Sequence, residues 1–122
     1  MAIRGIRGAI TVKCNDVDSI LEATREVLLA MVHANPLLRV DDLASAFFTL
    51  TPDLDAVHPA KAARLLGWKD VPLMCATEIP VPDSLPLCVR VLLHWNTDLS
   101  AEQVHHSYLG AAQVLRPDWL EK

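Results

Sequence analysis

Arg90 lies in the run 87–97, LCVRVLLHWNT, hemmed in by Val89, Val91, Leu92 and Leu93. A lone guanidinium among such neighbours is costly to bury unless it reaches an edge or meets an anion. Arg7, in the run 3–12, IRGIRGAITV, poses the same question. For each arginine two answers stand open here: an ion pair within the protein, or a bound ligand anion. Lys61 and Arg64, spaced i, i+3 on a short helix, read as a solvated basic face or as a carboxylate-binding lip. Glu78 closes a strand before a proline-rich loop and, taken alone, reads as an exposed edge charge. Cys75 reads as a small apolar strand residue. Tyr108, the only tyrosine, reads as a packed ring with a bonded hydroxyl. The chain has no Gly-rich phosphate loop, no Ser-His-Asp spacing and no metal motif. His105 and His106 are adjacent, so a helix would point their rings to different sides, which suits solvated surface histidines better than a shared metal.

Periodicity indicates the elements that must position these groups. Residues 3–12 read as a strand, with Gly5, Arg7, Ala9 and Thr11 on one face and Arg4, Ile6, Gly8, Ile10 and Val12 on the other. Residues 16–34 repeat apolar side chains at helical spacing, with Asn15 as the expected N-cap and Asn35-Pro36 as the stop. Residues 44–51 and 71–78 read as strands. Between them, Pro59 opens a short helix that Gly67 closes. Pro80, Pro82 and Pro86 stiffen the next loop. Residues 87–97 give the strongest strand signal, with Cys88, Arg90, Leu92 and His94 facing away from Val89, Val91, Leu93 and Trp95. A last helix is expected from Asp98 or Ser100 to about Ala112, with Tyr108 on its inner side, and Pro117 ends the ordered tail. The order β-α-β-α-β-β-α predicts an α/β (α+β) sheet with helices on one side.

Composition limits the function classes. A chain of 122 residues fits one domain, 1–122, with a core of its own. With 52% apolar and 21% charged residues it is not a disordered chain. A net charge of −4 lacks the basic footprint of a nucleic-acid binder. No apolar run is long enough for a membrane helix, and the first residues lack the apolar stretch of a signal peptide. Three cysteines, an odd number without ligand spacing, fit a reduced cytoplasm. A mean hydropathy of +0.26 hints that apolar surface is covered by other subunits.

IRGIRGAITV, TPDLDAVHPAKAARLLGW, VPLMCATEIPV, VRVLLHWNTD and HHSYLGAAQVLRPD, collinear from about residue 2 to 119, together resemble the AroH-class chorismate mutases. That resemblance implies a homotrimer of pseudo-α/β-barrel subunits with active sites between neighbours, and conversion of chorismate to prephenate with no cofactor and no metal. Carried over by motif, Arg7 would bind a substrate carboxylate. Arg90 would contact the ether oxygen and a carboxylate, and Glu78 the ring hydroxyl. Cys75 would line the ring side with Glu78, Met74 would also contact substrate, and Tyr108 would reach the enolpyruvyl carboxylate. Arg64, and with it Lys61, would come from the adjacent subunit, His58 would belong to the pocket, and Leu115 and Arg116 would close over it. The family has phenylalanine where His58 stands, so pocket affinity or its pH dependence is expected to differ.

The implied chemistry suits these residues. Chorismate carries two carboxylates, which matches a site built on arginines. Its rearrangement is pericyclic and intramolecular, so the protein need only hold the compact conformer and stabilise separating charge. A non-catalytic binding protein for a dicarboxylate metabolite is the alternative, using the same arginines without turnover.

Overall fold

The computed structural model describes residues 2–115. Its five strands are β1 (Ile3–Thr11), β2 (Leu43–Leu50), β3 (Leu73–Thr77), β4 (Cys88–Asn96) and β5 (Ser107–Leu109). They form one mixed sheet in the order β3-β2-β4-β1-β5. β4 is central and antiparallel to both β1 and β2. The edge strands run parallel to their neighbours, β3 to β2 and β5 to β1. A bulge at Leu43/Ser45 takes up one residue where β2 meets β4.

Strand alternation gives this sheet two unlike faces. Ile6, Ile10, Phe48, Val89, Val91, Leu93 and Trp95 form one buried core beneath the helices. Helix α1 (Val17–Ala34) turns Ile20, Thr24, Val27, Leu28 and Met31 into that core. The buried Thr24 hydroxyl donates to the Ile20 carbonyl at 2.7 Å, so no polar group is stranded. Helix α2 (Ala60–Leu65) adds Ala60 and Ala63 to the same core and ends at Gly67, whose φ of +91° suits glycine. Both helices therefore cover one face, as the pattern predicts. On the other face Arg7, Arg90, Leu92, His94, Phe47 and Thr49 stay partly or largely exposed.

Two expectations need correction. Asp16, not Asn15, caps α1, its carboxylate accepting from the Ser19 N–H at 2.7 Å. Asn15 instead accepts from the Asp55 and Ala56 N–H groups and donates to the Asp55 carboxylate, tying α1's start to the loop before α2. The predicted last helix is replaced by a 3₁₀ turn at Ala101–Gln103, strand β5, and a second 3₁₀ turn at Gly110–Leu115. Tyr108 thus sits on an edge strand opposite Ala9. A tertiary contact accounts for the change. Asn35, 3% exposed at the end of α1, accepts from the His105 N–H at 2.9 Å and donates to the His105 carbonyl at 3.0 Å. That amide holds the chain extended into β5 where helical backbone bonding would otherwise run.

Gly8 fixes how closely α1 approaches the sheet, because a Cβ there would lie 2.3 Å from the Met31 sulfur. Gly8→Ala should cost about 1–3 kcal/mol in urea unfolding. The loss should shrink in a Met31→Ala background, since Met31 is the obstruction.

Candidate active site

The open face gathers Arg7 from β1, Arg90 from β4 and Glu78 from just beyond β3. They line a hollow of about 180 Å³ together with Phe47, Thr49, Val91 and Leu92. Registers explain the meeting: Arg90 stands opposite Thr49 on one side and Ala9 on the other, while Arg7 faces Leu92. Arg90 Nε lies 3.5 Å from Glu78 Oε1, with both side chains about one-quarter exposed (27% and 26%). The geometry falls short of a hydrogen bond, and buried Arg90 Nε has no hydrogen-bond partner among the described residues. Glu78 is instead fixed by the Thr49 hydroxyl, which donates to Oε1 at 2.5 Å, and by its own N–H donating to the Leu50 carbonyl. The edge-charge reading of Glu78 gives way to a half-buried carboxylate aimed at an arginine.

Arg7 is placed by two groups from the β5 segment. Its guanidinium carbon lies 5.9 Å from the centroid of the Tyr108 ring, within cation–π range. Its backbone N–H donates to His106 Nδ1 at 3.0 Å. His106 is thus no plain surface histidine: its ring continues the β1 edge where the β5 ladder stops. Sequence reasoning missed both His106 and Asn35, because each acts on residues far along the chain.

Ala9, Cys88, Tyr108 and Ala112 form a small second core under this site, with Leu85 and Leu115 packed against it. Leu115 is thereby brought against the cluster that holds Tyr108. Arg116 lies outside the described residues. Gly110 allows the tail to turn back, with φ +60° and a Cβ position only 2.7 Å from the Thr11 hydroxyl.

The remaining predicted residues that the structure describes do not line this hollow. Met74, 62% exposed, pairs with Phe47 and so shares the open face. Cys75 pairs with buried Phe48 and packs against the main core, on the helix-covered side of the sheet. With His58 it lines a separate hollow of about 350 Å³. Lys61 and Arg64 are exposed on α2. A single chain thus brings Arg7, Glu78, Arg90 and Tyr108 together but leaves His58, Lys61, Arg64 and the Cys75 side chain apart from them. Among the described residues no three His, Cys, Asp or Glu side chains are placed to hold a metal.

Cys88 is fully buried beside Arg90. Burial pushes its thiol pKa up, and the nearby Arg90 charge only partly opposes that. The folded state therefore favours the protonated thiol. Stability from this site is complete below the unfolded value of about 8.5 and is lost as pH rises through the folded value. Urea midpoints should fall above about pH 8.5, and Cys88→Ala should flatten that decline. An unchanged slope in the variant would contradict this assignment.

The profile of the family described as chorismate mutase type I matches residues 3–119. The chain is 51% identical over 116 residues to the chorismate mutase AroH of Thermus thermophilus, covering 95% of each chain. It is 42% identical over 119 residues to the chorismate mutase AroH of Bacillus subtilis (strain 168), covering 97% of this chain and 93% of that one. Its fold superposes on a chorismate mutase structure from Clostridium thermocellum with a TM-score of 0.88 at 47% identity, over 91% of this chain and 98% of that one. A match along nearly the whole length, carrying the arginine-bearing strands with it, means that this chain belongs to the type I chorismate mutase family.

Proposed function

We propose that chorismate rearranges to prephenate on the open sheet face, with Arg90 and Glu78 acting on the reacting atoms. The protein is a chorismate mutase, an isomerase of aromatic amino acid biosynthesis. The curated relatives and the structural neighbour are all named as this enzyme, so the binding-protein alternative has no support. No helix among the described residues is long and apolar enough to cross a membrane. We assign the enzyme to the cytoplasm.

One observation carries the site reading: two arginines and a carboxylate converge in one hollow on the sheet face that the helices leave open. As the ether C–O bond breaks and the new C–C bond forms, negative charge gathers on the ether oxygen. Arg90 donates there, and its unpartnered Nε supplies the donor. Positive character builds on the ring fragment, toward Glu78. Arg7 and Tyr108 hold a carboxylate, and Leu115 covers the pocket. Each millionfold of acceleration needs about 8 kcal/mol of differential stabilisation. One well-placed donor to the developing oxyanion supplies about 3–4 kcal/mol of it.

The substrate pocket is completed by a second copy of the chain, in a homotrimer. A hollow of about 180 Å³ is small against the roughly 300–1,000 Å³ of ordinary ligand pockets. His58, Lys61 and Arg64 are displayed away from it, where a neighbour's open face can receive them. In that arrangement Cys75 offers its backbone rather than its thiol to the ring side, since its side chain points to the core.

Arg90→Ala should lower kcat about 100-fold or more with the assembly intact, followed by loss of chorismate absorbance. Near-parental turnover would remove Arg90 from the mechanism. Mixing Arg64→Ala and Arg90→Ala proteins under subunit exchange should recover activity, because some interfaces then pair two intact halves. No recovery despite proven exchange would mean that each site is built within one chain.

A further inference from the structure

Arg90 lies two residues inside a strand whose entry is unusual. Leu87, immediately before β4, has φ +50°, a left-handed conformation that a leucine adopts only when its surroundings impose it. The groups that impose it come from the segment 51–53. The Leu87 N–H donates to both carboxylate oxygens of Asp53, at 3.0 and 3.2 Å. The Thr51 hydroxyl donates to Asp53 Oδ1 at 2.5 Å and accepts from the Cys88 N–H at 3.0 Å. The Thr51 N–H returns to the Cys88 carbonyl at 3.1 Å, and the Leu87 carbonyl accepts from the Val12 N–H at 2.7 Å. All four backbone polar groups of residues 87 and 88 are therefore taken, three of them by Thr51 and Asp53.

We propose that Asp53 and Thr51 form a clamp that fixes Leu87 in its left-handed turn and so positions Arg90 for the breaking bond. Alternation carries the effect. Val89 is the first β4 residue registered against β2, so a backbone shift at residues 87–88 reaches Arg90 within two residues, and buried Cys88 and then Arg90 are the first two side chains on that face. The same clamp reaches the other half of the site, since the Leu54 N–H donates to the Thr51 carbonyl. The following residues, Asp55 and Ala56, are tied to Asn15 and lead directly to His58 and α2. Asp53 thus stands between the strand that bears Arg90 and the segment that bears His58, Lys61 and Arg64. Neither Thr51 nor Asp53 touches substrate in this reading; both are positioning residues, and the inference rests on Arg90 being the donor to the ether oxygen.

The test is steady-state chorismate turnover of Thr51→Val, Asp53→Asn and Asp53→Ala beside Arg90→Ala, with thermal midpoints for each. Thr51→Val removes only the hydroxyl's bonds and should lower kcat about 5- to 10-fold with KM within about twofold, at temperatures well below its midpoint. Asp53→Asn keeps an acceptor for the Leu87 N–H and should retain more of kcat than Asp53→Ala. A Leu87→Gly background, in which left-handed backbone carries no Cβ penalty, should shrink the kcat loss of Asp53→Ala. Parental kcat in both Thr51→Val and Asp53→Asn, whatever their midpoints, would overturn the clamp if Arg90→Ala is inactive. Parental kcat in Arg90→Ala as well would overturn the mechanism on which it rests.

Discussion

A guanidinium held in the middle of a central strand is the constraint around which this structure is arranged. Arg90 has Val89 and Val91 as chain neighbours, both buried on the far side of the sheet. Its own side chain is only about one-quarter exposed (27%), so solvent compensates its charge poorly. Glu78 lies close without forming a hydrogen bond, which leaves a partly desolvated cation facing a hollow. On the proposed function, such a group is poised for a dianionic ligand. It gains its full hydrogen bonding only when negative charge arrives at the right place.

The fold meets that constraint by making β4 central. Every residue of β4 is registered against β1, and seven positions are registered against β2 as well, so the strand has little freedom to slide or twist. A site built on paired strands keeps its geometry better than one built on loops, which matters when catalysis is by positioning and charge. The flexible parts of the constellation are then held one by one. Thr49 fixes Glu78, His106 and Tyr108 fix Arg7, and Asn35 fixes the segment that carries His106 and Tyr108.

Much of this was readable from the sequence because strand period and helix period are local properties. β1, β4 and α1 fall within a residue or two of the bounds their alternation indicates, and the split of β4 into an arginine face and a core face follows from counting by twos. The stretch after residue 97 was not readable in the same way. β5 is only three residues long, pairs with β1 across about a hundred positions, and is extended because of Asn35, none of which local propensity records. Asn15 was misread for a related reason: its side chain serves the loop at 55–56, leaving the cap to Asp16. Cys75 is different again. Cys75 and Glu78 are three apart, and an odd step along an extended chain puts two side chains on opposite faces. Simple parity therefore separates the cysteine thiol from the carboxylate, and puts Met74, four before Glu78, on the carboxylate's side.

In the proposed trimer the same parity joins catalysis to assembly. The face that exposes Arg7 and Arg90 also exposes Phe47 and Met74, at 39% and 62%, while Ile79 and Val81 stand out beside it at 77% and 57%. Apolar side chains at this density around a charged hollow are poorly suited to bulk water. Covering them removes water from the arginines at the same step, and a drier surround strengthens each contact that a carboxylate or a developing oxyanion makes. On the trimeric reading, the neighbour that buries Phe47 and Met74 is the one that brings His58 and Arg64. The apolar rim then drives the association, and the guanidiniums gain their low-dielectric setting from it. On that reading interface and active site are one surface, because a strand that alternates core and solvent has only one face left on which to build both.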